Sequence, residues 1–212
     1  MSVGEAILGF ALVAALLTIL PGPDSALVLR TALTQGRRLA IATGLGINSG
    51  ALAWGAAAGV GAAALIAASE LAFTALKIAG AIYLAYLGVR MIVASFRREP
   101  ISAHPDIDPP KGSWWAAYGR GALTNLLNPK VGAFYVALIP QFLPEGANPL
   151  AMGLVLALVH AIESAIWFAI LILAAETARG WLSSPRVSRW IDRVTGGFLL
   201  GFAGLLALES RA

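Results

Sequence analysis

The sequence predicts an all-α integral membrane protein with six transmembrane helices, arranged as two inverted three-helix repeats in which helices 1 and 4 are broken. Three observations predict this fold class. Of the 212 residues, 58% are hydrophobic and only 12% are charged, about half the charge of a soluble domain, and the mean hydropathy is +0.79. Six apolar stretches are each long enough to cross a hydrocarbon core of about 30 Å. One helix-breaking signal also occurs twice, half a chain apart.

The six apolar stretches divide the chain evenly. They cover about 5–34, 39–68, 71–95, 114–143, 149–175 and 191–209. The first has no Lys or Arg ahead of its apolar run, which continues to Leu29. It is therefore interpreted as a retained helix rather than a secretory signal.

A polar segment at about 96–113, rich in Pro and charge, separates the two halves. It is predicted to be a cytoplasmic linker between repeat one, about 1–95, and repeat two, about 114–212. The whole chain, 1–212, is expected to form one transmembrane domain with no separate soluble module.

The basic residues are distributed by side of the membrane. With six spans, twelve of the 15 Lys and Arg residues fall at the odd-numbered connections or the adjoining helix ends, whereas Lys77 and Arg211 fall on the other face. The positive-inside rule then places both termini on the non-cytoplasmic side. Because this bias accounts for the net charge of +4, no nucleic-acid partner is expected. The absence of Cys excludes disulfides, thiolate metal sites and thiol redox chemistry.

The repeated signal consists of a proline beside a charge. Pro21-Gly22-Pro23-Asp24 lies in the first stretch and Asn128-Pro129-Lys130 in the fourth, and a shift of 106 residues places Pro23 on Pro129 and Asp24 on Lys130. A weaker match, with an offset of 116, aligns 77–88 with 193–204. Three spans per half is an odd number, so the second repeat must be inverted, as in transporters with broken helices. Chance matching of apolar residues is the alternative.

Both prolines of the first signal should interrupt the helix, because proline removes a backbone donor and clashes with the preceding turn. In the second signal, Asn128 suits a helix N-cap and Pro129 the first helical position. Each following half-helix would present its positive dipole end to the membrane centre. The alternative is a pair of structural kinks that bind no ligand.

The two charges differ in how well they fit these positions. Asp24 suits the first turn of a helix, whereas Lys130 opposes the dipole there, and an unpaired buried cation costs at least ~2.5–3.5 kcal/mol. One interpretation is a structural ion pair between Asp24 and Lys130. The other is a substrate carboxylate held by Lys130 and the open amides, which leaves Asp24 for the substrate ammonium. A zwitterionic amino acid supplies both charges.

Other polar residues lie within the apolar stretches. His160 and Glu163 are three residues apart in the fifth stretch and are candidates for proton coupling, with a satisfied interhelical polar pair as the alternative. Asn48 and Asn125 are expected to combine interhelical hydrogen bonding with cavity lining.

Glycines recur along the second stretch, at positions 46, 50, 55 and 59. Small residues let membrane helices approach closely. They indicate internal packing, with a homodimer seam as the alternative.

The chain resembles the lysine exporter (LysE/RhtB-like) family of bacterial amino-acid efflux carriers. The resemblance extends over essentially the whole chain and rests on LPGPDSALVL at 20–29, KIAGAIYLAYLG at 77–88 and LTNLLNPKVGAFYVALIPQFL at 123–143. It implies a secondary exporter in the bacterial inner membrane, driven by the proton gradient or by exchange. Its motifs fall on Pro21, Gly22, Pro23, Asp24, Asn128, Pro129 and Lys130. It selects no substrate and assigns no role to His160 or Glu163.

Together these observations predict an exporter of a neutral or basic amino acid that works by alternating access, with the bilayer, protons or a counter-substrate as partners and no cofactor or metal. The predicted substrate-binding residues are Pro21, Gly22, Pro23, Asp24, Asn48, Asn125, Asn128, Pro129 and Lys130. A cation carrier is the alternative transporter, although Asp24 and Glu163 are few hard ligands without soft Cys ones. A membrane scaffold or enzyme is the alternative class, but no nucleophile–base constellation supports an enzyme.

Overall fold

The computed structural model describes residues 1–19, 22–68 and 112–175, together with isolated helical positions between 75 and 96 and between 189 and 204. The continuous segments are helical and contain no strand. Their helices are α1 (Val3–Ile19), α2 (Pro23–Gln35), α3 (Arg37–Ala68), α4 (Trp114–Leu126), α5 (Pro129–Leu138) and α6 (Pro149–Leu173), and a short 3-10 helix (Ile139–Phe142) follows α5.

These helices match four of the six predicted stretches. Among the described residues, α3 and α6 are each long and apolar enough to cross a membrane, and α1 with α2 makes a third span, bent by 52°, if the pair is counted as one. The fourth predicted stretch is divided between α4 and α5. Most of the third and sixth stretches, most of the match of 77–88 with 193–204, and most of the linker lie outside the described residues.

The outer faces of the helices are apolar. Leu12 of α1 and Leu173 of α6 are 72% and 68% exposed, and many other large aliphatic side chains are also open. A soluble monomer rarely exposes so much contiguous apolar surface, so these faces are suited to lipid. Trp115, at the start of α4, is 73% exposed, as expected for an interfacial aromatic residue.

Helix α3 is the centre of the bundle and uses small residues to pack on two sides. An added Cβ at Gly46 would overlap the Tyr118 carbonyl of α4, and one at Gly55 would overlap Ala157 of α6. Gly50 and Gly59 make equally close approaches to α4 and α6. All four glycines are thus used in internal packing rather than in a homodimer seam.

Buried apolar residues form separate clusters on the two sides of the helix breaks, towards opposite ends of the bundle. On one side, α1 and α5 pack with the second half of α3 and the first half of α6, through residues that include Phe10, Ala14, Phe134, Leu138 and Leu156. On the other side, α2 packs with the first half of α3 and the last turns of α6, and α4 packs with the start of α3. The first and fourth spans therefore run in opposite directions, as do α3 and α6.

Candidate functional site

The two breaks face one small internal cavity of about 40 Å³ between the two sets of clusters. This volume accommodates only a few water molecules. Apolar residues such as Ile47, Val131 and Phe168 form part of its wall. Its polar lining residues are Thr18, Asp24, Ser25, Asn125, Asn128, Lys130, His160 and Ser164.

The first break leaves backbone carbonyls without helical partners. Helix α1 ends at Ile19, and α2 begins at Pro23 after the extended N-cap Gly22, which has no side-chain cap. In a continuous helix the carbonyl of Leu17 would accept a hydrogen bond from residue 21, but a proline there has no N–H. The structure of Pro21 lies outside the described residues; its chemistry alone leaves the Leu17 carbonyl available to another donor.

The second break is capped by a side chain. Helix α5 begins at Pro129, and the side-chain oxygen of Asn128 accepts a hydrogen bond from the Lys130 N–H at 3.1 Å. The predicted N-cap at Asn128 is therefore confirmed. The Asn125 carbonyl, which has no N–H donor at Pro129, accepts from the Asn128 N–H at 3.0 Å instead.

The charged side chain that follows each break forms hydrogen bonds with groups at the other break. The Asp24 carboxylate of α2 accepts hydrogen bonds from the side-chain amides of Asn125, at 2.8 Å, and Asn128, at 3.3 Å. In turn, the Lys130 Nζ of α5 donates to the Leu17 carbonyl at 3.4 Å. A Cβ built on Gly22 would lie 3.6 Å from this Nζ, so the ammonium lies against the first break.

The contact between the Lys130 ammonium and the first break explains why Lys130 is tolerated in the first turn of α5. Its own dipole opposes it, but the ammonium lies at the carboxyl end of α1, where free carbonyls and the negative dipole end favour a cation. Asp24 attracts Lys130 electrostatically as well. The negative group that the sequence requires near Lys130 is thus a helix end together with Asp24.

His160 lines the cavity, and its Nδ1 lies 2.8 Å from the Tyr135 hydroxyl. Both side chains are buried. Glu163 is half-buried and is not among the lining residues, and its Oε2 has no hydrogen-bond partner among the described residues. His160 therefore has a tyrosine as its partner, and Glu163 lies close enough to act electrostatically on the same tyrosine.

The predicted asparagines divide into two groups. Asn125 and Asn128 line the cavity, whereas the Asn48 side-chain amide donates to the Ala161 carbonyl at 3.1 Å. Asn48 therefore makes the expected interhelical hydrogen bond, from α3 to α6, and is not among the residues that line this cavity; its part in substrate binding stays a prediction.

Several site residues were not predicted from the sequence, among them Thr18, Ser25, Ser164, Tyr135 and the carbonyl of Leu17. A usable signal existed only for Leu17, because Pro21 lies four residues after it. The other residues reach the site through the rotation of their helices, which apolar sequence does not specify. Among the described residues no group of three or more His, Cys, Asp or Glu could hold a metal ion.

Apolar helices with two oppositely directed breaks, whose opposite charges face one internal cavity, define a membrane transport protein. Residues 15–210 match the model of the LysE type translocator family. The chain belongs to this family, whose members are transporters rather than enzymes.

Three relatives cover nearly the whole chain. The uncharacterized membrane protein YrhP of Bacillus subtilis is 30% identical over 93% of this chain and 96% of its own. The threonine efflux protein of Escherichia coli is 29% identical over 90% and 91%. The homoserine/homoserine lactone efflux protein of Salmonella typhimurium is 28% identical over 96% of each. No solved structure matches the chain.

Proposed function

We propose that the protein exports a small zwitterionic amino acid across the bacterial inner membrane by alternating access, and that the cavity between the breaks is its binding site. One observation carries this proposal. Asp24 and Lys130 line the same cavity and attract each other, and each is also hydrogen-bonded by neutral groups of the opposite break. A substrate that carries both a carboxylate and an ammonium could replace these neutral contacts with charged ones.

The substrate carboxylate would bind the Lys130 ammonium, because the first N–H groups of α5, at Lys130, Val131 and Gly132, already donate to Asn128 and are not open as the sequence predicted. Its ammonium would bind Asp24. A carboxylate adds the Coulombic attraction of a full negative charge, which a neutral carbonyl lacks, so the substrate can compete with the Leu17 carbonyl for Lys130. Asn125 and Asn128 would continue to orient Asp24 when the substrate is bound.

The size of the cavity supports a transport cycle with a closed state. A small-molecule site typically occupies roughly 300–1,000 Å³, far more than the 40 Å³ found here. Substrate entry would require α2 and α4 to separate on one side, or α1 and α5 on the other. The opposite directions of the first and fourth spans, and of α3 and α6, support an inverted repeat in which such movements alternate.

The relatives support the direction of transport, and threonine and homoserine in their names support a zwitterionic substrate. Two carry names that specify efflux, one of threonine and one of homoserine or of its lactone, which lacks the carboxylate. Export against a gradient requires coupling to protons or to a counter-substrate. His160 is the better placed of the two proton-coupling candidates because it lines the cavity, and Glu163 stays a candidate from its position within α6.

Counterflow in proteoliposomes tests this proposal. Vesicles containing purified protein and preloaded with unlabelled amino acid should accumulate the labelled form, while protein-free vesicles should not. Flux of a divalent cation without amino-acid counterflow would favour a cation carrier. No flux of either, from protein that is folded and inserted, would contradict transport.

The proposed orientation is tested separately. Reporter fusions should place Ala103 in the cytoplasm and Ala212 on the outer face, since the basic residues cluster at the odd-numbered connections. A cytoplasmic C-terminus would reject the model with six spans and an external N-terminus.

A further inference from the structure

The hydroxyl of Thr18 is buried at the cavity and has no hydrogen-bond partner among the described residues. Thr18 lies in the last turn of α1 with 9% of its surface exposed, and it lines the cavity. Within the part of the chain that the structure describes, its Oγ1 has no hydrogen-bond partner. A buried hydroxyl without a partner is unfavourable, and each such group in a folded protein calls for an explanation.

Other Thr and Ser hydroxyls in these helices show that Thr18 could have formed a hydrogen bond within its own helix. A helical Thr or Ser can donate to the carbonyl four residues earlier. Thr31, Thr34 and Thr43 do so at 2.8, 2.8 and 3.0 Å, and Ser49 does so at 3.0 Å. The Thr18 hydroxyl makes no such bond and its oxygen has almost no accessible surface, so a group of the substrate could reach it only when the cavity opens.

The position of Thr18 indicates which group this is. Its neighbour Leu17 provides the carbonyl that holds Lys130, and Thr18 lines the same cavity as the two charged groups, Asp24 and Lys130. In the proposed function those charges take the carboxylate and the ammonium. The part of the substrate that is left for Thr18 is the side chain.

We propose that Thr18 is a specificity-determining residue whose hydroxyl forms a hydrogen bond with a hydroxyl on the side chain of the transported amino acid. This inference rests on the proposed function and adds a substrate class to it, namely small amino acids with a side-chain hydroxyl. The lining residues Ile47, Ala51 and Val131 provide an apolar wall that limits the size of the side chain. A net hydrogen bond corresponds to a preference of about 3- to 10-fold over the apolar isostere.

The test compares threonine with valine, which have the same shape but differ by a hydroxyl, as competitors in the counterflow assay. Wild-type protein should prefer threonine by about 3- to 10-fold. Thr18→Val should abolish this preference, and Thr18→Ser, which keeps the hydroxyl, should retain it. Thr31→Val is the matched control, because Thr31 is equally buried but bonds within its own helix. It should leave the preference unchanged.

Several outcomes would overturn the inference. One is a threonine-to-valine ratio that is unchanged in Thr18→Val. Another is an equal loss of competition by threonine and by valine in this variant, which would mean that the hydroxyl binds the carboxylate or ammonium that all amino acids share. Wild-type protein without a threonine preference would also overturn it. If Thr18→Val does not reach the membrane, Thr18→Ala supplies the same measurement. A wild-type protein that carries no amino acid at all would instead refute the proposed function.

Discussion

The two breaks occupy equivalent places in the chain but are built from different chemistry. The first, Gly22-Pro23-Asp24, has no side-chain cap and leaves an acceptor, the carbonyl of Leu17. The second, Asn128-Pro129-Lys130, is capped by Asn128 and presents side-chain amide donors. The acceptor of the first break meets the cation of the second, and the donors of the second meet the carboxylate of the first. The two breaks are therefore complementary in their hydrogen-bonding groups and charges, which suits a ligand with two unlike ends.

The largest expected effect is the loss of one charge. Lys130→Met should insert normally, because it removes a buried cation, yet its export should fall by roughly 30-fold or more, as expected when one partner of a buried charge pair is removed. Asp24→Asn should have a similar effect. Efflux is measured beside the amount of monodisperse protein in the membrane. If Lys130→Met unfolds the protein while Asp24→Asn/Lys130→Met restores fold and transport, the two residues are only a structural ion pair.

Exchanging the two charges tests whether each charge needs the particular hydrogen-bonding groups of the opposite break or only an opposite charge. In Asp24→Lys/Lys130→Asp, an ammonium would face the amide donors of Asn125 and Asn128, and a carboxylate would face the Leu17 carbonyl. Like partners repel, so we expect membrane insertion to fall and counterflow to be lost. Transport close to the wild-type level would show that the charges need only each other.

A smaller effect is expected at the cap of the second break. Asn128→Ala removes the cap of α5 and one donor to Asp24, whereas Asn148→Ala removes only the cap of α6, where the side chain accepts from the Ala151 N–H at 3.0 Å. Each variant should lose about 1 kcal/mol of stability, the usual contribution of an N-cap. Counterflow should decrease by about 10-fold in Asn128→Ala alone, because a hydrogen bond to a charged group contributes about 1.5–3 kcal/mol. Equal counterflow in the two variants would remove Asn128 from the site.

The smallest effect is expected from the hydrogen bond between Tyr135 and His160. Tyr135→Phe leaves His160 free to turn and should lower the transport rate by about 3- to 10-fold, the equivalent of one hydrogen bond. Tyr118→Phe is the control, since the Tyr118 hydroxyl donates to Ser49 at 2.7 Å and neither side chain lines the cavity. Initial rates of counterflow that fall equally in both variants would indicate a general packing defect.

Local chemistry predicted much of this architecture. The ends of α3 and α6 follow the ends of apolar stretches, and Pro23 and Pro129 mark the helix starts because proline is tolerated only in the first turn of a helix. The cap at Asn128 could be predicted for the same reason. Each of these features depends on residues within about four positions in the chain.

The partners across the site could not be predicted in the same way. Asp24 is bound by Asn125 and Asn128, about a hundred residues away, and Tyr135 meets His160 on another helix. Such contacts depend on helix rotation and on the close approaches at Gly46 and Gly55. Asn48 illustrates the difficulty, since it is an intramembrane asparagine like Asn125 but faces α6 rather than the cavity.

The central claim is that Lys130 binds the substrate carboxylate while Asp24 binds its ammonium. The most direct test is competition in wild-type counterflow between an amino acid, its amide and homoserine lactone, since neither of the last two has a free carboxylate. We predict that the free amino acid competes and that the amide and the lactone are weaker by roughly 30-fold or more, the usual consequence of leaving a buried charge unpaired. Competition by the amide or the lactone as strong as that of the free acid would contradict the carboxylate-binding role of Lys130.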